Sequence, residues 1–173
     1  MITPELVRTI LDQYPLPRNG VHGVSHWARV YEIGSRLAPH TGAKIEVVQL
    51  FALLHDSQRV NEGRDPDHGP RAADYALAIR DQLPALEDRD FELLRYACTW
   101  HTAGMTVGDV TVRTCWDADR LDLGRVGIRP RPELLCTDAA RDPGTIRWAH
   151  ARAMERAWPP RVAEDWGVVR PGG

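Results

Sequence analysis

The sequence predicts an all-α domain, and three observations carry that prediction. Apolar residues recur at spacings of three and four in successive segments, and no stretch shows the strict alternation of a strand. One run, Val47-Val48-Gln49-Leu50-Phe51-Ala52-Leu53-Leu54, is apolar on nearly every side, as expected of a helix buried among others. Most prolines, glycines and capping residues fall at the ends of these segments.

Taken in order, Thr3-Pro4-Glu5 supplies an N-cap, a first-turn proline and a first-turn acid, predicting a helix to about residue 13. Tyr14-Pro15-Leu16-Pro17-Arg18-Asn19-Gly20 stops it. Val24, Trp27, Tyr31 and Gly34, with Val30 and Leu37 beside them, define an amphipathic helix that residues 39–42 end. The buried helix is expected over about 43–56, and the polar segment 57–69 reads as a loop. A helix over about 70–83 places Ala72, Ala76, Ile79 and Leu83 on one face. Another over about 88–102 holds Phe91, Leu94, Cys98 and His101 in register, before Gly104 and Gly108 break it. A further helical run is predicted over 111–124. Arg129-Pro130-Arg131-Pro132 reads as a kink within one domain, leading to a last helix from about 143 to Trp158-Pro159-Pro160. The tail, with Val168-Val169 and Pro171-Gly172-Gly173, is expected to fray.

A chain of 173 residues suits one domain, burying roughly 70% of its unfolded surface. The shares of hydrophobic (43%) and charged (27%) residues are those of an ordinary globular protein. No apolar run approaches the roughly 20 residues a bilayer requires, and no leader-like segment opens the chain, so a cytoplasmic protein without membrane association is expected. Cys98, Cys115 and Cys136 are odd in number and widely spaced, which suggests structural roles rather than disulfides or a thiolate zinc site. A net charge of −2 argues against a partner of long nucleic acid. Of 22 basic residues only Lys44 is lysine, so the arginine count reflects usage and is weak evidence for phosphate binding.

The chemistry concentrates where the buried helix ends, in Leu53-Leu54-His55-Asp56-Ser57-Gln58-Arg59. Burying an imidazole and a carboxylate costs several kcal/mol unless both find partners, and one cation satisfies both. His26 lies beside the apolar face of its helix, one position before a core tryptophan. Asp119 lies among Cys115, Ala118, Leu121 and Leu123. Three interior helices thus each bring a polar group inward. Two imidazoles and two carboxylates suit manganese, iron, cobalt, nickel or zinc.

His26 followed by Arg29-Val30, then Leu53-Leu54-His55-Asp56, then Ala118-Asp119-Arg120-Leu121, resembles the HD-domain superfamily of metal-dependent phosphohydrolases. The resemblance covers about residues 20–125 and leaves 126–173 as a helical extension of a single domain. It implies a compact helical bundle with one or two ions at its centre and His26, His55, Asp56 and Asp119 as ligands. Asp119 matches the family's last aspartate better than Asp117 or Asp122, which are expected to steady ligands or cap helices. His68 and His101 fall where members with two metals carry two further histidines. Asp56 would then bridge the ions. The residues alone leave three roles open for this pair: ligands of a second ion, substrate or proton-relay groups beside one ion, or helix-end residues favoured by the macrodipole.

The implied activity is hydrolysis of a phosphoester of a small metabolite or nucleotide. A divalent ion lowers the pKa of bound water from 15.7 to about 7. Arg59 and Arg71, with His68, are candidates for holding substrate, ahead of Arg64 and Arg120. Many HD phosphohydrolases place a glutamate shortly after the HD pair, where this chain has Arg59 and then Glu62. The proton donor is therefore sought among His101, Glu62 and a water on the metal, with Asp56 catalytic as well as ligating. His22 is expected to end a turn or orient His26, and His40 and His150 are expected to be exposed. Two other functions share these features: a di-iron HD-type oxygenase, with the same order of six ligands, and a non-catalytic metal- or nucleotide-binding regulatory module. Substrate, metal identity and oligomeric state are not encoded legibly.

Overall fold

The computed structural model describes residues 2–169. Among them are nine α-helices: α1 (Pro4–Asp12), α2 (Val24–Thr41), α3 (Ile45–Leu54), α4 (His68–Ala78), α5 (Asp88–Trp100), α6 (Val110–Leu121), α7 (Asp138–Arg141), α8 (Pro143–Met154) and α9 (Pro160–Trp166). Short 3-10 turns lie at Arg80–Gln82, Leu123–Val126 and Pro132–Leu134. No described residue is in a strand, as the spacing of apolar residues predicts. No helix among the described residues is long and apolar enough to cross a membrane.

The all-apolar helix α3 is the axis of the bundle. Val47, Val48, Leu50, Phe51, Ala52, Leu53 and Leu54 are all buried, because α2, α5 and α6 pack around it. At roughly 1.5–3 kcal/mol for each large side chain removed from water, this one helix supplies much of the driving force for folding. Two glycines make the approach close enough. A Cβ on Gly34 of α2 would lie 2.5 Å from Val48 Cγ1, and a Cβ on Gly69 of α4 would lie 2.6 Å from the Cys98 carbonyl oxygen of α5. Both contacts set the depth at which side chains enter the centre.

Several boundaries depart from the sequence reading. Helix α2 does end within the expected 39–42 stretch, running through Pro39 to Thr41 and stopping at Gly42, whose φ of 76° and N–H bond to Ala38 O close it. Pro39 has no N–H to give the Ser35 carbonyl, so the end of the helix is held instead by the Gly42 N–H bond to Ala38 O. Helix α3 is shorter than 43–56, with His55 and Asp56 in the turn beyond it, and α4 starts at His68, two residues early. Helices α7 and α9 were not anticipated. Thr137 caps α7 through Ala140 N, and Pro160 occupies the first turn of α9. The Pro159-Pro160 pair thus ends one segment and opens another, since proline is preferred at a first helical position. Trp166 is fully buried, edge-on to Tyr31 with ring centroids 5.4 Å apart. Val168 packs on the core and its N–H donates to Ala163 O, whereas Val169 is exposed; Pro171, Gly172 and Gly173 of the expected fraying tail lie outside the described residues.

Candidate metal centre

Four histidines and two aspartates, carried by α2, α4 and α6 and by the turns that follow α3 and α5, meet at the middle of the bundle. His26, His55, Asp56, His68 and His101 are all buried, and the Asp119 side chain is 14% exposed. The orientation of each imidazole follows from what its Nδ1 touches. His55 Nδ1 lies 3.1 Å from Phe51 O and 3.2 Å from Ala52 O, one helical turn back. His101 Nδ1 lies 2.7 Å from Cys98 O, and His68 Nδ1 meets Asp65 O. His26 Nδ1 lies 2.7 Å from Asp122 Oδ2. Carbonyl and carboxylate oxygens only accept, so in each neutral ring Nδ1 carries the proton and Nε2 turns a lone pair inward.

Those inward nitrogens face one another. His26 Nε2 is 3.0 Å from His55 Nε2, and His68 Nε2 is 2.8 Å from His101 Nε2. Asp56 stands between the pairs. Its Oδ2 lies 3.6 Å from His26 Nε2 and 3.8 Å from His55 Nε2. Its Oδ1 lies 3.1 Å from His68 Nε2 and 3.7 Å from His101 Nε2. Asp119 Oδ1 completes the first group at 3.4 Å from His26 Nε2 and 3.8 Å from His55 Nε2, and this buried oxygen has no hydrogen-bond partner. Opposed lone pairs and an orphaned carboxylate oxygen in a dry interior repel one another unless a cation stands among them. Two nitrogens bound at about 2.1 Å and at roughly right angles would sit about 3 Å apart, so the donors fit an ion. His26, His55 and Asp56 form one possible metal group, and Asp56, His68 and His101 form another.

Electrostatics agree with this geometry. Burial lowers the His55 pKa to about 3, keeping the ring neutral as a ligand requires. Burial raises the Asp56 and Asp119 carboxyls, but neighbouring groups outweigh it: His55, His101, His22 and His68 for Asp56, and His26, Arg125 and His55 for Asp119. Both end below the ordinary carboxylate value. Burial opposes charge on His101, yet its contact with Asp56, then the charge of Asp119, raises its pKa overall.

The surrounding shell explains how the donors are held. Asp122 accepts from His26 and takes both Nε (2.7 Å) and Nη2 (3.0 Å) of Arg29. Asp117 does not approach the centre; it accepts from the backbone N–H groups of Cys136 and Thr137 and from the Thr137 hydroxyl, pinning the chain after the 3-10 turn. His22 Nδ1 lies 2.8 Å from Asp56 Oδ2, so it steadies the carboxylate rather than His26. Arg59, anchored by Gly63 O and Asn61 O, brings Nη1 within 3.2 Å of His68 Nε2 and 3.6 Å of Asp56 Oδ1.

The other sequence candidates fall elsewhere. Arg71 donates to Gln58 O and pairs with Asp65 at 2.6 Å, Arg120 donates to Leu134 O and Met105 O, and Arg64 is exposed. Glu62 is exposed, its carboxylate lying over Gly20. His40 is exposed as expected, but His150 is half-buried, its Nδ1 close over Gly124. The three cysteines are buried and burial raises their pKa values, that of Cys136 to about 12, which fits packing rather than reactivity. Tyr14 was read only as a helix stop. Its buried hydroxyl has no hydrogen-bond partner among the described residues, and burial, then the charges of Glu62 and Asp56, raise its pKa.

No family model matches the sequence, and no curated protein matches it. Its structure is similar to the crystal structure of a predicted HD superfamily hydrolase from an uncultured Thermotogales bacterium, with a TM-score of 0.64 and 24% sequence identity, over 95% of this chain and 91% of that one. The chain therefore shares the fold of that protein, with its histidine–aspartate cluster at the centre of the bundle.

Proposed function

We propose that this chain is a metal-dependent hydrolase that cleaves a phosphoester of a small metabolite or nucleotide. The observation that supports it is the pairing of inward Nε2 atoms, 3.0 Å apart on one side of Asp56 and 2.8 Å apart on the other. His26, His55, Asp56 and Asp119 would hold one divalent ion, and Asp56, His68 and His101 a second. When bound, the ions supply an activated water and neutralise phosphate charge. The name of the structural neighbour points the same way.

The remaining residues do the positioning. His22, with 14% of its side chain exposed, reaches from solvent to Asp56 and holds its carboxylate in line with both groups. Arg59 directs positive charge at the His68 side, where it can meet a phosphate oxygen. The proton for the leaving oxygen would come from His101, Glu62 or a water on the metal.

Metal content of protein purified without chelator tests the proposal, followed by a screen of simple phosphoesters with manganese, cobalt or nickel. Bound metal and anaerobic turnover are expected, with both lost in Asp56→Ala. A metal-free chain, or turnover indifferent to Asp56→Ala, would sink it. The same six donors also suit the di-iron oxygenase chemistry implied by the resemblance; iron with oxygen consumption and no anaerobic hydrolysis would select that reading.

A further inference from the structure

Beside the metal residues lies a cavity of about 230 Å³ whose wall is built from arginine. Gly20, Val21, Ser25, Arg29, Arg125 and Arg156 line it. It opens at the N-terminus of α2, which no side chain caps, so the positive end of an 18-residue helix adds to the field. Arg29 is matched by Asp122, which also holds His26.

Arg125 is different. Its side chain is only 7% exposed, and it is fixed by one bond from Nε to Val21 O at 3.1 Å. Nη2 stands 3.7 Å from Asp119 Oδ1 and Nη1 stands 4.0 Å from Asp122 Oδ2, both beyond hydrogen-bond reach. Nη1 is buried with no partner at all. Arg156 faces the same cavity from a backbone in the left-handed region, φ 49°, and has no carboxylate partner among the described residues. A buried guanidinium with one nitrogen unpartnered and a second, unpaired guanidinium across a cavity are the complement of an oxyanion.

We infer that this cavity is an anion subsite, taking a phosphate or carboxylate that the substrate carries in addition to the phosphoester presented to the histidine–aspartate cluster. This rests on the hydrolase reading for its place in catalysis, because Arg125 separates the cavity from Asp119 by a single guanidinium. It narrows the substrate class to compounds with two anionic groups, such as bisphosphates or phosphorylated acids. The sequence hides the subsite, since Arg29, Arg125 and Arg156 are far apart in the chain.

Isothermal titration with inorganic phosphate tests it, on the full chain as purified and after chelator dialysis. After chelator dialysis one phosphate is expected to bind, and Arg156→Ala, an exposed position, should weaken it at least tenfold; the metal-loaded chain should take that phosphate and one more at its metal centre, the latter unaffected by Arg156→Ala. Arg125→Gln should do the same, with circular dichroism confirming that it folds. Absence of phosphate binding, binding that needs the metal, or affinity unchanged by Arg156→Ala overturns the subsite. Failure of the hydrolase reading would show separately, as missing metal or turnover while phosphate still titrates.

Discussion

Replacing Asp122 by asparagine separates orientation from ligation, because Asp122 touches no position where an ion would sit. The change keeps the shape and removes the charge. Arg29 and Asp122 are 3% and 0% exposed, so the substitution leaves a guanidinium in the interior without its counterion. Breaking one partner of a buried pair costs about 3–5 kcal/mol, and the amide oxygen retains one bond to Arg29, which puts the loss near the lower end, about 3 kcal/mol. For a chain of this length each kcal/mol moves Tm by about 2–4 °C, so Tm should fall by about 6–12 °C. Because an asparagine can present either oxygen or NH2 to His26 Nδ1, the ring also loses the partner that fixes its tautomer. Loss of such a partner lowers metal affinity about 10–100-fold. Thermal melts in chelator isolate the first effect, and competition with a chromogenic chelator isolates the second. An unchanged Tm together with wild-type metal retention would refute the argument that Asp122 holds His26 and Arg29 in place.

Four further outcomes are expected. His68→Ala and His101→Ala should each halve the metal content if two ions bind, read by elemental analysis; an unchanged content would leave a single ion with His26, His55, Asp56 and Asp119. Asp117→Asn should lower Tm without altering metal content, since Asp117 binds only the backbone of Cys136 and Thr137 and the Thr137 hydroxyl; lost metal would contradict that placement. Glu62→Gln should lower kcat by about 10²–10⁴ with metal content intact if Glu62 is the proton donor, measured on a slow-leaving alkyl phosphate. The metal-free chain should lose stability as pH falls from 6.5 to 5. His55 has a folded pKa of about 3, so the unfolded chain binds a proton that the folded chain excludes. The slope approaches 1.4 kcal/mol per pH unit, about the cost of one proton. Asp56 and Asp119, held below 3.8, add losses only below that value, and the raised pKa of His101 acts above 6.5. Chemical denaturation across this range should show the slope in wild type and not in His55→Gln.

The helices that frame the centre were legible because burial writes a periodic pattern, and polar groups interrupting that pattern stood out. His55 and Asp56 at the end of an all-apolar run, and Asp119 among Cys115, Ala118 and Leu121, were visible for that reason. His22 was not, since it sits in a turn of glycine and proline where no periodicity says which way a side chain points; it reaches Asp56 only because Trp27 Nε1 and Arg18 O fold that turn back onto α2. Arg71 looked like a phosphate ligand by its nearness in sequence to the histidines, but Asp65 claims it first. Helix α9 was missed because a Pro-Pro pair was read as a stop, when the second proline equally begins a helix.

The tautomer logic shows what kind of information the residue pattern lacked. A sequence names a histidine but not which of its nitrogens faces inward; the acceptor at Nδ1 decides that. For His55 and His101 the acceptors are carbonyls three and four residues back in the same chain segment, at Phe51, Ala52 and Cys98. Those acceptors belong to the backbone, so substituting the residues that carry them leaves the imidazoles oriented as long as the helices stand. His26 instead depends on the Asp122 side chain, 96 residues away. The centre is therefore robust where helix geometry holds it and fragile at that one long-range bond. Phe51→Leu should accordingly alter packing without changing metal content, in contrast to Asp122→Asn, although Phe51 stacks on His55 at 4.8 Å and Asp122 lies outside the ligand cluster.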